Sequence, residues 1–280
     1  MTLGTALGSG ARRLKAVGIP HPAYDALLLL AHALGRDKAW VLAHRDAPLP
    51  RGEGGIFEAL LHRREAREPL QHLRGFQEFW GLRVRVGPGC LIPRPETEHL
   101  VEQSLLCLGE EPAPRVLEVG VGSGCVLAAL AREHPGAVLW GAEREREALA
   151  WARRNLAAAA RARLVRADLE GPCPFAGLDL LVSNPPYITA KEWPSLPPEV
   201  RDHEPRAALL IPSGDPLGPY RHLGRWAEQA LRPGGHLVAE LGVAQARRAR
   251  SLRRLSPSLR WLRGVRDLAG RLRVAVWQKL

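Results

Sequence analysis

Apolar positions along the chain follow two different periods, and the change between them divides it. Up to residue 74 the spacing is helical. Pro22 opens the run AYDALLLLAHAL and Gly35 closes it, with proline at a helix start and glycine just past its end. The stretch IFEALLHRREAR sets Ile56, Leu60, Leu61 and Arg64 on one helical face, and Pro69 ends it. Three or four short helices of this kind predict a small all-α bundle. Over 75–90 the period shortens: Trp80, Leu82, Val84 and Val86 alternate around Gly81, which predicts a β-hairpin linker. A helix starting at Glu96 or Thr97 should then bury Leu100, Val101, Leu105 and Leu106.

From residue 114 strands and helices alternate. Strands are expected over 115–119, 137–143, 162–168, 178–184, 234–241, 259–264 and 272–278. Helices are expected over 125–134, 146–160, 217–231 and 243–254, with a long proline-rich stretch before the third. Alternation of this kind means right-handed crossovers and a mostly parallel sheet covered on both faces. The last two strands are joined by only RGVRDLAG, too short for a helical crossover, so the last strand should run antiparallel. The predicted organisation is a helical domain over 1–74, a β-hairpin linker over 75–90 and an α/β domain over 91–280. No internal repeat is present.

Composition adds bounds. An apolar fraction of 46% and a charged fraction of 25% are ordinary for a globular protein. The longest apolar run breaks after about ten residues, short of a membrane span, and no secretory signal pattern opens the chain. A cytoplasmic protein without membrane contact is expected. Cys90, Cys107, Cys125 and Cys173 form no C-x-x-C pair and cluster with no histidines, so free thiols and no metal are expected. The net charge of +11 is almost all arginine, spread along the chain. It fits an anionic partner such as a nucleic acid or ribonucleoprotein, and codon bias equally well. Asparagine occurs only at 155 and 184.

Asn184 stands in SNPPY, directly behind the apolar run 178–182. Pro185 and Pro186 cannot continue a ladder and hold the chain in one shape as it leaves the sheet. The asparagine is thereby presented on a rigid frame beside Tyr187. A second constellation follows the strand 115–119, where Gly120, Gly122 and Gly124 let a backbone approach a ligand at a helix N-terminus. The third glycine of a dinucleotide fingerprint is missing, since Cys125 occupies its place. Glu118, Glu143 and Asp168 lie at the ends of three successive strands, where open α/β sheets bind ligands. Glu143 can take both hydroxyls of a ribose, and Asp168 would lie beside an adenine. That describes an adenosine site with no phosphate to neutralise, as S-adenosylmethionine requires.

Together, Glu118-x-Gly-x-Gly-x-Gly124, Glu143 and Asn184-Pro-Pro-Tyr187 resemble a class I methyltransferase acting on a planar nitrogen, with a Rossmann-like sheet. PLQHLRGFQEFWG (69–81), LIPRPETE (91–98), RDHEPRAAL (201–209) and ELGVAQ (240–245) sharpen this. They resemble the HemK-type glutamine N(5)-methyltransferases of peptide chain release factors, from about residue 20 to the end. The resemblance implies methylation of the glutamine side-chain nitrogen in the Gly-Gly-Gln motif of class 1 release factors, with S-adenosylhomocysteine as product. It implies cofactor contacts from Gly120, Val121, Gly122, Ser123, Gly124, Glu143, Asp168, Leu169 and Asn184. It also implies catalysis and substrate binding by Asn184, Pro185, Pro186 and Tyr187. Val121 replaces a common threonine, and Leu169 stands where relatives often carry an aromatic ring. An Asn184 side-chain oxygen and a Pro185 carbonyl would together accept both hydrogens of an amide NH2, and Tyr187 would pack on the amide plane. Arg94, Glu96 and Glu98 would shape the pocket edge, bind the substrate loop or cap a helix. The enzyme is expected to be a monomer, and its charge is compatible with contact to a ribosome. Three alternatives share these features: a ribosomal-protein glutamine methyltransferase, an enzyme methylating adenine N6 or guanine N2, and an inactive binding module.

Overall fold

The computed structural model describes residues 1–211 and 214–280. It divides into two compact units, one made of residues 1–76 with 197–203, the other of 77–196 with 204–280.

The first unit is helical: α1 (Leu3–Ala16), α2 (Pro22–Leu34), α3 (Lys38–Ala43), α4 (Arg51–Glu65) and α5 (Leu70–Arg74). Gly35 ends α2 in the left-handed conformation (φ 61°), as the sequence predicts. Gly10 lets α1 pack closely, since a Cβ there would stand 3.1 Å from Phe57 and 3.3 Å from Ala26. One expectation fails on α4. Ile56 faces solvent, and Phe57 takes the core position beside Leu60 and Leu61. Arg64 is buried on that face because it is paired, its Nε 2.8 Å from Asp25.

The second unit starts within a hairpin of β1 (Phe76–Phe79) and β2 (Leu82–Arg85). Its two-residue turn, Trp80–Gly81, has φ of 51° and 65°, the double left-handed geometry that matches strand twist. Next comes α6 (Glu98–Leu108), preceded by one 3-10 turn over Pro95–Thr97. It buries Leu100, Val101 and Leu108, whereas Leu106 is exposed and Leu105 only half-buried. Gln103 and Ser104 are buried in their stead because each has a partner, Arg263 and the Leu100 carbonyl.

The main sheet contains β3 (Arg115–Val119), β4 (Val138–Glu143), β5 (Ala162–Arg166), β6 (Leu178–Ser183), β7 (Leu231–Glu240), β8 (Leu259–Arg266) and β9 (Leu272–Lys279). Its order is β5-β4-β3-β6-β7-β9-β8. Pairing is parallel through β7, and β9 runs antiparallel to both neighbours. Successive residues point to opposite faces. Val116, Leu180, Val238 and Val276 pack with α6, α7 (Cys125–Glu133) and α8 (Arg146–Asn155). Leu117, Leu181, Leu237 and Ala275 pack under α11, which follows the short helices α9 (Pro198–Arg201) and α10 (Arg206–Leu209) and spans Gly218–Ala230. Two helices are shorter than expected. The α8 helix stops at Asn155, whose side chain turns away to bond the backbone of Arg85 and Ser123. The segment 243–254 breaks into α12 (Val243–Ala246) and α13 (Ala249–Leu252).

Charge is less evenly spread than the expectation. Residues 247–280 hold eleven basic residues against Asp267 alone, which accounts for ten of the eleven net charges. Among the described residues no helix is long and apolar enough to cross a membrane. No group of three metal-ligating side chains is found among them either, and all four cysteines are unbridged.

Candidate active site

The strands β3, β4, β5 and β6 end side by side, and a cavity opens at their C-terminal edge. It holds about 1110 Å³ of empty space, its open mouth included. Gly120, Glu143, Asp168, Leu169, Asn184, Pro185 and Pro186 all line it, as do Ala142, Ala167 and Ser183. The topology is the cause: β3 is central and its neighbours lie on both sides, so the loops leaving this edge diverge and leave a crevice.

The glycine loop is fixed by its backbone. Gly120, Gly122 and Gly124 have φ of 74°, 53° and 80°, a run that residues with a Cβ rarely adopt. The Gly120 and Val121 N–H groups both donate to the Ala142 carbonyl, at 2.8 and 3.2 Å. Glu143 secures the loop from the next strand. Its Oε2 accepts the Gly122 N–H at 3.0 Å, and its Oε1 accepts the Arg144 and Glu145 N–H groups at 2.8 and 3.0 Å. A carboxylate has about four lone-pair directions, so three are taken and one on Oε2 stays open. That direction on Oε2 has no backbone partner.

The sequence-derived residues do not all meet. Val121, Gly122, Ser123 and Gly124 do not line the cavity. Val121 turns its side chain into the sheet core, Ser123 is buried, and Gly124 packs against Ala152. Glu118 is also withdrawn from it. It is buried, accepts the Leu127 N–H at 3.2 Å, and is held well above the ordinary carboxylate range by desolvation. It anchors α7 from inside. Arg94 pairs with buried Glu204, Glu96 lies 3.7 Å from Arg273, and Glu98 accepts the Trp80 N–H in the hairpin turn at 2.7 Å. None of these three borders the cavity.

Asn184 sits at the boundary between two environments. One side of its turn borders the cavity. On the other, its Nδ2 donates to Thr97 Oγ1 at 3.3 Å, and Thr97 Oγ1 donates to Glu240 Oε2 at 2.7 Å. Tyr187 lies on this second side, not on the cavity wall. Its ring presses on Gly242, where a Cβ would come within 2.7 Å of it. Burial, then the charge of Glu240, pushes its hydroxyl well above its usual range. Gln245 holds the exit from the turn, its Nε2 3.3 Å from the Tyr187 carbonyl.

A far wall escaped the sequence reading. Ala207 and Ala208 in α10, Gly218, Pro219, Arg221 and His222 in α11, and Asp215 before it all border the cavity. Two alanines carry no chemical signature; their place depends on how the proline-rich segment returns to the sheet. The lining holds four carboxylates, Glu143, Asp168, Glu170 and Asp215, against two guanidinium groups, Arg144 and Arg221. Both arginines pair with acids of the lining, Asp168 and Asp215. Such a lining suits a neutral or cationic ligand and offers no phosphate cradle.

Comparison with known proteins agrees across the chain. Residues 5–75 match the family described as PrmC N-terminal domain, and residues 100–195 match the methyltransferase small domain family. A release factor glutamine methyltransferase of Cereibacter sphaeroides is 44% identical over 250 residues, covering 88% of each chain. One of Caulobacter vibrioides is 37% identical over 284 residues, covering all of this chain and 97% of its own length. Among solved structures, the hMettl16 catalytic domain in complex with the MAT2A 3'UTR hairpin 6 superposes with a TM-score of 0.53. It is 15% identical, over 71% of this chain and 76% of that one, a likeness of fold alone.

Proposed function

The chain belongs to the release factor glutamine methyltransferase family, and we propose that it methylates the side-chain amide nitrogen of the glutamine in the Gly-Gly-Gln motif of class 1 release factors. Its fold is the class I methyltransferase fold. S-adenosylmethionine is the methyl donor and supplies an electrophilic methyl group on a sulfonium sulfur. The cavity fits it: acids outnumber guanidinium groups, Leu169 and the alanines give an apolar wall, and Glu143 keeps one lone pair for a ribose hydroxyl. We assign Asp168 and Leu169 to the adenine end. Gly120 to Gly124 are assigned a backbone role, with Val121 and Ser123 contributing no side chain to the ligand.

The single observation that carries the reading is Asn184, held at the cavity edge by two prolines with its Nδ2 already engaged. Its Oδ1 is thereby left to accept. An amide nitrogen is a poor nucleophile because its lone pair is delocalised into the carbonyl. Asn184 Oδ1 and the Pro185 carbonyl bind its two hydrogens and fix its approach, so catalysis is mainly positioning. Pro186 stiffens that frame. Tyr187 supports it from behind through Gly242, which replaces the expected stacking on the substrate amide as its primary role. Residues 1–74 form the recognition unit for the protein substrate in this reading. The basic segment 247–280 gives a contact to ribosomal or other nucleic acid. The enzyme works as a monomer, in the cytoplasm where its substrate acts.

Transfer of labelled methyl groups to purified release factors tests the proposal. Label should appear in the intact factor and vanish when the glutamine of its Gly-Gly-Gln motif is changed. Label that instead follows ribosomal protein or RNA would overturn it.

A second expectation concerns Glu143. Glu143→Ala removes a charged acceptor from the ribose and the anchor from Gly122, which should weaken cofactor binding by about 1.5–3 kcal/mol. That is about ten- to 150-fold in Kd. Calorimetry reads it directly, and unchanged affinity would refute the placement.

A further inference from the structure

Two segments that carry the family resemblance, PRPETE and ELGVAQ, contribute nothing to the cavity lining, yet each supplies one buried side chain to a hydrogen-bonded chain that begins at Asn184. Thr97 is 3% exposed and Glu240 1% exposed. The bonds run from Asn184 Nδ2 to Thr97 Oγ1 and on from the Thr97 hydroxyl to Glu240 Oε2. Building on the assignment of Asn184 as the substrate-amide acceptor, we propose that Thr97 and Glu240 are positioning residues, a one-way hydrogen-bond relay that keeps the Asn184 carboxamide turned with Oδ1 toward the substrate.

The number of protons on each group sets the direction of the relay. A carboxamide has an accepting end and a donating end of nearly equal size, and a turned amide would offer the substrate NH2 a donor instead of an acceptor. Proline stiffness fixes the backbone of residue 184 but leaves that flip open. Thr97 closes it. A hydroxyl has a single proton, and an ionised carboxylate only accepts. While Glu240 is charged, Thr97 must give its proton to Glu240 and can only accept from Asn184, so Nδ2 is drawn to Thr97. With Glu240 protonated, the carboxyl can donate to Thr97, whose own proton can then turn to Asn184. The direction is lost.

Glu240 is placed for such a change. It sits at the end of β7, and its backbone carbonyl accepts the Tyr220 hydroxyl at 2.8 Å. Burial pushes its carboxyl up to about 7, opposed by the Thr97 hydrogen bond and by Arg273 and Arg94, and aided by Glu96. Tyr187 and the buried Tyr220 and Cys125 also feel its charge. Below pH 7 the protonated form gains, so turnover should fall on the acid side as the relay loses direction.

The two asparagines make this observable without turnover. Asparagine-selective 15N labelling, which leaves the six glutamines silent, gives two side-chain NH2 pairs, Asn184 and Asn155, and Asn155 is held by backbone carbonyls of Arg85 and Ser123. The Asn184 pair should shift with a midpoint near pH 7, while the Asn155 pair stays still. In Glu240→Gln, whose amide oxygen can still accept from Thr97, the Asn184 shift should disappear and the acid fall in kcat should flatten. Thr97→Val should lower kcat about ten- to 100-fold, the value of one lost orienting hydrogen bond to a reacting-group holder, with cofactor Kd unchanged. Thr97→Ser should restore most of it. An Asn184 resonance that is flat with pH, or that titrates equally in Glu240→Gln, would overturn the relay. So would full activity in Thr97→Val while Asn184→Ala is inactive. An active Asn184→Ala would instead remove the assignment on which the relay rests.

Discussion

Asn184→Ala should lower turnover on a release factor by about 30- to 1000-fold, a loss of about 2–4 kcal/mol in the transition state. The substitution removes the Asn184 side-chain oxygen at the cavity edge and, in the proposed binding mode, leaves one substrate N–H without its acceptor. It leaves Gly120, Glu143 and Asp168 untouched, so cofactor affinity should hardly move. It also frees Thr97, which can still donate to Glu240. Asn184→Asp is a useful contrast. It keeps an acceptor oxygen but offers Thr97 no N–H and places a second negative charge near Glu240, so it should fold and yet remain well below wild type. Methyl-transfer rates and cofactor binding measured on both variants check the pair of expectations. Near-normal turnover in Asn184→Ala would remove the positioning mechanism.

Much of the sheet was legible in the sequence because strands such as RVLEV and VLWGAE are short apolar runs closed by glycine or an acid, and the helices between them repeat at 3.6 residues. RVLEV is β3, and the short RGVRDLAG connection joins antiparallel strands. What escaped was orientation. Leu106 has the same chemistry as Leu105, and the turn of about 100° between successive helix positions puts one outside and leaves the other half inside. The site divides similarly. Gly120, Glu143 and Asn184 were visible because the chemistry needs their residue types at strand ends. Glu118, by the same pattern, was assigned to the ligand side and is instead an interior anchor, because its side chain satisfies an N–H of α7. Thr97 and Glu240 lie 143 residues apart, and no local pattern announces that they are hydrogen-bonded. Ala207 and Ala208 gave no signal at all.

The helical unit carries the last expectation, and it starts from a charge in the wrong place. Arg64 lies on the apolar face of α4, where a leucine would fit the period, and is almost fully buried. It is tolerable there because two acids meet it. Its Nε is 2.8 Å from Asp25 on α2, and its Nη1 is 3.0 Å from Glu199, which also accepts from Arg67 at 2.9 Å. Glu199 lies in the 197–203 segment, which packs as part of this unit although 120 residues of the other unit precede it. Burial alone would raise the Glu199 carboxyl, but its own backbone N–H and the two guanidinium groups outweigh that and hold it below the ordinary range. A depressed carboxyl contributes stability that is present at neutral pH and fades as pH falls through its folded-state value. Arg64→Met keeps the volume and removes the charge, leaving Asp25 buried without its partner. Breaking a buried pair from one side costs about 3–5 kcal/mol. The unit should therefore loosen, and segment 197–203 should become the first site of limited proteolysis. If residues 1–74 recognise the protein substrate, KM for a whole release factor should rise while turnover on a short glutamine peptide and cofactor Kd stay near wild type. Equal losses on peptide and whole factor would make the bundle a folding scaffold instead, and unchanged thermal stability would mean that Arg64 does not hold the unit together.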